Sequence, residues 1–298
     1  MVRRCFLLPV AVLVLAAACS SSDDGSSTTS SVAQSTVSTT TSGSAAPDSA
    51  TTAAPTTTAA PTTSAVATTS EAPSEVLHIV LGNDDGIGAP GIDALAQGLA
   101  ALDNVTITIV APAEEKSGSG GSVTDGPVEA EAATTASGIE GTAVDGFPAD
   151  AVVWALENVD PAPHVVVTGS NSGQNFGPLQ GLSGTVGAAR QAAQLGVPAV
   201  AVSQGVADPF VFESSVSAAI DWIDAHRDDY LAGTVTLFSI NSPTCPDGPQ
   251  GVVEVPWGPE WNDRGGDVIC DSTFEPLTDD IDAFLNGWTA ISELAVSG

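Results

Sequence analysis

Five short apolar runs rich in Val and Ile, at 76–81, 105–110, 164–168, 197–202 and 234–239, recur along the chain between stretches of helical spacing. Ile92, Leu95, Leu99 and Leu102 lie on one face of a helix over 90–102, with Pro90 in its first turn, where a missing N–H costs nothing. Residues 149–158 and 184–195 also read as helices, and Val216, Ala219, Ile220 and Ile223 mark another. Strands without an alternating polar face are buried on both sides, so the pattern predicts a mostly parallel sheet between two helical layers. The expected fold is therefore α/β, a Rossmann-like three-layer α/β/α sandwich with right-handed crossovers. After Asn241 the pattern breaks, and a short helix over 278–285 and a strand over 288–294 are read as a C-terminal extension or arm (about 241–298) of one domain, 76–298.

In such a sheet, ligands bind beyond the carboxyl ends of the strands. Three strand ends predict polar loops there: Asn83-Asp84-Asp85-Gly86, then Ala111-Pro112 through Glu114-Glu115-Lys116-Ser117-Gly118, then Gly169 through Gly177. Asn-Asp-Asp-Gly alone is ordinary turn chemistry. Adjacent carboxylates at the end of a buried strand, however, are costly to desolvate without a cation. With a serine hydroxyl and an asparagine amide on the neighbouring loops, the donors are hard oxygens suited to Mg²⁺, Mn²⁺ or Ca²⁺. No His and Cys cluster at zinc spacing occurs, and His78, His164 and His226 are dispersed. Ser183-Gly184-Thr185 opens a helix with small residues, either as a simple Ser cap or as an anion site made of free backbone N–H groups. Lys116 either meets that anion or faces solvent.

Taken together, Asn83-Asp84-Asp85-Gly86-Ile87, Ala89-Pro90-Gly91-Ile92, Ala111-Pro112 with Ser117-Gly118, Pro148-Ala149-Asp150, Gly169 with Asn171 and Gly173, Asn175 with Gly177, and Ser183 through Ala189 resemble the SurE survival proteins, metal-dependent 5′/3′-nucleotidases. The resemblance covers about 77–204. It implies metal ligation by Asp84, Asp85, Ser117 and Asn171; of the two carboxylates, Asp84 is read here as also assisting the attacking water as a base and Asp85 as only ligating. It further implies phosphate contacts from Asn175, Ser183, Gly184 and Thr185. Thr278-Asp279, Gly287-Trp288 and Ile240-Asn241-Ser242-Pro243 are similar to that family's closing segments, which implies a homodimer or tetramer joined through C-terminal arms. Gly82, Ser170 and Phe147 depart from the family's usual Thr, Ile and Thr, and none is a proposed ligand.

The expected function is metal-dependent hydrolysis of nucleoside 5′/3′-monophosphates or another small phosphomonoester. The alternative is a non-catalytic exported lipoprotein that captures a nucleotide or other phosphorylated ligand. With 36 acidic against six basic residues and a formal charge of −30, the chain is not expected to bind nucleic acid polymers or anionic membrane surfaces.

The beginning of the chain sets the expected location. Arg3 and Arg4, an apolar segment and Ala16-Ala17-Ala18-Cys19 read as a secretory signal over 1–19. The end of this segment resembles a bacterial lipoprotein processing site with Cys19 lipidated; ordinary signal peptidase cleavage is the alternative. Residues 20–75, mostly Ser, Thr, Ala and Pro, form a disordered tether by composition. The domain is thus expected outside the cytoplasm, held to a membrane only through a lipid anchor or else secreted. In that setting Cys245 and Cys270 form a disulfide, or stay as two free thiols.

Overall fold

The structure is a computed structural model and describes residues 75–261 and 266–297. The signal segment, Cys19 and the tether up to residue 74 lie outside the described residues. Among the described residues, no helix is long and apolar enough to cross a membrane.

Strands β1 (Leu77–Gly82), β2 (Val105–Pro112), β3 (Ala130–Thr134), β4 (Glu140–Val144), β5 (Val165–Ser172), β6 (Ala199–Gln204), β7 (Leu237–Ser242), β8 (Val252–Glu254) and β9 (Thr289–Glu293) form one sheet in the order β3-β4-β2-β1-β5-β6-β7-β9-β8. The run from β4 to β7 is parallel throughout. Helices α1 (Pro90–Leu99), α2 (Pro148–Asn158), α3 (Gly184–Gln194) and α4 (Glu213–Ala225) are the connections, joined by α5 (Arg227–Leu231) and α6 (Asp280–Leu285). Alternate side chains of the central strand divide the core between the layers. Leu77, Ile79 and Leu81 face Ile92, Leu95 and Leu99 of α1 and Trp222 and Ile223 of α4. Val80 joins Val110 and Val166 on the other face, against Val152 of α2 and Val186, Ala189 and Ala192 of α3. The mostly parallel, three-layer α/β fold follows from that two-sided burial.

Three expectations about elements change. Gly169 does not begin a loop: β5 continues to Ser172, because Asn171 and Ser172 still pair with Ser203 and Gln204 of β6 after a register shift. Gly169, at φ +126°, allows this, since a Cβ there would lie 2.2 Å from the Val202 carbonyl oxygen. The antiparallel pair β3 and β4 was not expected, because its Ala, Thr and Glu residues carry no apolar run. The last helix begins at Asp280 rather than at 278, because the Asp279 carboxylate accepts the Asp282 N–H at 2.8 Å and caps it.

The stretch beyond 241 extends the sheet itself: β9 lies antiparallel to β7, and β8 pairs with β9. A disulfide joins Cys245, just after β7, to Cys270, between β8 and β9; the two are 5.6 Å apart at Cα and 25 residues apart in sequence. Closing a loop of that size restricts the unfolded chain by about 3 kcal/mol. Reducing this bond is therefore expected to lower the thermal midpoint by several degrees in a melt with and without reductant. An unchanged midpoint would assign the bond no role in stability.

Candidate functional site

The chain crosses from β1 to β2 on one side and then returns to β5 on the other, so a crevice opens where β1 and β5 part. The Asn83–Gly86 turn lies at this point, closed by the Asn83 amide donating to the Gly86 carbonyl at 2.8 Å. The loop after β2 joins it: Lys116 N–H donates to the Asp84 carbonyl at 2.7 Å, and Ile87 N–H to the Pro112 carbonyl at 2.9 Å.

Asp84 is 2% exposed, and its Oδ1 accepts the Thr185 hydroxyl at 2.6 Å. This bond links the end of β1 to the first turn of α3, 101 residues on. Burial, opposed by the Thr185 bond and reinforced by the neighbouring Asp85 charge, pushes the Asp84 carboxyl up to about 6. Asp85 is raised too, chiefly by burial, with Glu115 adding to the effect and the Ser172 groups opposing it. Its Oδ2 accepts the Ser172 N–H at 3.0 Å, which fixes it against the end of β5 beside Asn171. Among the described residues the ion pairs are Lys116 with Glu114 and Arg227 with Asp224, and neither reaches these two carboxylates.

The other sequence-selected residues divide into two groups. Gly184 packs directly on Asp84: a Cβ there would lie 2.8 Å from Asp84 Oδ2 and equally close to Ser119 Oγ. Ser183 caps α3, its Oγ accepting the Val186 N–H at 3.1 Å. Asn171 is 8% exposed and donates its amide to the Gly173 carbonyl at 2.7 Å. Ser117, by contrast, is exposed, and its backbone N–H is held by Glu115 at 2.7 Å. Asn175 turns toward the next strand ends, donating its amide to Ser203 Oγ at 3.0 Å and its backbone N–H to Asn241 Oδ1 at 2.7 Å.

Sequence reasoning missed Ser203, Asn241 and Ser119. Ser203 and Asn241 are the penultimate residues of β6 and β7, just past the apolar runs, a position that could have marked them. Asp150, of the Pro148-Ala149-Asp150 block, is structural: it accepts Phe147 N–H at 2.8 Å and the Thr124 hydroxyl at 2.6 Å, tying the loop after β2 to α2. His78 and His164 stack on each other at the start of their strands, at the opposite edge of the sheet from the crevice.

The donor set suits a divalent cation. A buried and a partly buried carboxylate with raised proton affinity and no cationic partner among the described residues carry a charge that is left uncompensated there. Asn83 Oδ1 adds a buried oxygen without a hydrogen-bond partner. Every donor is an oxygen, which favours a hard metal ion.

A profile of the family described as "Survival protein SurE" matches residues 79–258. The chain is 38% identical over 172 residues to the 5′-nucleotidase SurE of Methylococcus capsulatus, covering 57% of this chain and 66% of that one. It is 41% identical over 177 residues to the 5′-nucleotidase SurE of Halobacterium salinarum, covering 55% of this chain and 64% of that one. The match thus spans just under two thirds of these relatives. The crystal structure of the SurE protein from Aquifex aeolicus superposes with a TM-score of 0.61 at 25% identity, covering 74% of this chain and 94% of that one.

Proposed function

The chain belongs to the SurE family, and from that premise we propose that it is a divalent-metal-dependent phosphomonoesterase acting on nucleoside 5′- or 3′-monophosphates. The observation that carries this reading is the Asp84–Thr185 hydrogen bond, because it sets a carboxylate pair against the open end of a helix. One half of the crevice is suited to a cation, the other to an anion.

Asp84 and Asp85, with Asn171 and the Ser117 loop, would hold the metal. When bound, it supplies positive charge for the phosphate and lowers the pKa of a coordinated water. The chain's own groups do the rest. Thr185 occupies Asp84 Oδ1 and so fixes the carboxylate plane, leaving Oδ2 toward Gly184 to take the proton of the attacking water. The N–H groups at the start of α3 receive the phosphate oxygens, a neutral means of binding an anion in a chain of formal charge −30. Ser172 N–H holds Asp85 beside them. Action outside the cytoplasm, on a lipid anchor or after secretion, belongs to the same reading and rests on the signal-like segment and tether.

Phosphate release by the full chain is the test, with nucleoside monophosphates and p-nitrophenyl phosphate, in Mn²⁺ or Mg²⁺ and again in chelator. Turnover is expected with metal and should fall at least a hundredfold in chelator. Binding of nucleotide without any turnover would replace the enzyme by a capture protein.

A further inference from the structure

The groups at the mouth of the anion half of the crevice are mostly committed. Thr185 Oγ1 donates to Asp84, Ser183 Oγ is engaged by Val186 N–H, and the Asn175 amide donates to Ser203. Ser183 keeps its own proton to give, and one further hydroxyl has no partner at all. Ser119 Oγ is sealed from solvent yet has no hydrogen-bond partner, although a buried unpaired hydroxyl costs a fold stability.

Its position is well defined. The loop after β2 sits on α3 through Gly120, whose N–H donates to the Leu182 carbonyl at 3.1 Å. The Gly120 carbonyl presses on Gly187, where a Cβ would lie only 2.0 Å from that oxygen. This seating brings Ser119 Oγ over Gly184, within 2.8 Å of where a Cβ on that residue would stand, and Asp84 Oδ2 faces the same point. The hydroxyl therefore lies over the first turn of α3, on the side that Asp84 Oδ2 also faces.

We propose that Ser119 is a phosphate ligand, its hydroxyl donating to a non-bridging oxygen of the substrate phosphate seated at the start of α3. The proposal rests on the nucleotidase reading and deepens it. It assigns the side-chain contact to a residue whose donor is free rather than to Thr185, whose donor is spent on Asp84. A phosphomonoester gives Ser119 a partner that the protein alone does not, so part of the cost of leaving it unpaired is recovered on binding.

The test compares the full chain with Ser119→Ala in Mn²⁺. The readouts are calorimetric titration with inorganic phosphate, calorimetric titration with Mn²⁺ alone, steady-state hydrolysis of a nucleoside monophosphate, and thermal unfolding. Loss of a hydrogen bond to a charged group should weaken phosphate binding and raise KM about tenfold or more. Mn²⁺ affinity should hold, and the thermal midpoint should stay level or rise, since the variant removes an unpaired hydroxyl. A merely structural Ser119 would instead lower the midpoint with phosphate affinity intact, and that result overturns the proposal, as does loss of Mn²⁺ binding. If the unaltered chain neither binds phosphate nor releases it, the nucleotidase reading itself falls. If the unaltered chain does both and Ser119→Ala matches it, only the role of Ser119 is lost.

Discussion

Asp84→Asn is expected to reduce turnover of a nucleoside monophosphate by at least about a thousandfold, while making the chelated protein more stable at pH 8. Asn keeps an oxygen for the Thr185 hydroxyl but carries no charge, so the link between β1 and α3 survives. The stability change follows from linkage. The folded-state pKa of Asp84 is raised from 3.8 to about 6, so its protonated form is favoured by folding. The resulting stability is fully present below pH 3.8 and lost as pH rises through about 6. At pH 8 in chelator the unaltered protein keeps a buried charge that Asp84→Asn lacks, an advantage to the variant on the order of 2 kcal/mol. Near pH 4 the advantage should vanish, because Asp84 is then protonated. Adding Mn²⁺ should reverse the order, raising the midpoint of the unaltered protein and leaving that of Asp84→Asn unmoved. Thermal melts at the two pH values, with chelator and with Mn²⁺, check every arm. A variant that keeps full activity, or is the less stable one in chelator at pH 8, would remove Asp84 from the site.

That double effect separates what the sequence makes legible from what it does not. Adjacent carboxylates after a buried strand are visible as an electrostatic conflict, and five Val- and Ile-rich runs are visible as strands covered on both faces. The edge strands β3 and β4 are not, because an exposed edge needs no apolar side chains, and Ala, Thr and Glu carry no period that distinguishes a strand from a loop. Thr185 illustrates the limit inside the site. Its place at a helix start points to an anion, but its hydroxyl goes to Asp84, a partner 101 residues away that only the fold brings near. Ser117 and Ser119 are two residues apart in an irregular loop. No periodicity says which side chain turns inward, and the packing of Gly120 on Gly187 settles it in favour of Ser119.

Gly187→Ala should show how much of the site depends on that packing. The new Cβ would stand 2.0 Å from the Gly120 oxygen, 2.4 Å from its carbonyl carbon and 2.8 Å from Gly121 N, all backbone atoms. No flexible side chain lies there to swing aside, so either the loop carrying Ser117 and Ser119 or the start of α3 must shift by about 1 Å or more. A displacement of that size between catalytic groups costs about a hundredfold in kcat/KM. Overpacking costs about 1–3 kcal/mol, but Ala gains about 1 kcal/mol over Gly inside a helix, so the net loss of stability should be small. The expected result is a protein that melts within a few degrees of the original yet loses about two orders of magnitude in kcat/KM and binds inorganic phosphate more weakly. Ala192, also buried on α3 but packed into the core beneath the sheet, supplies the contrast: Ala192→Gly should lower the midpoint and leave kcat/KM nearly intact. Equal kcat/KM for Gly187→Ala and the original would mean that the loop after β2 takes no part in catalysis, and the metal and phosphate halves of the crevice would have to be completed from β1, β5 and α3 alone.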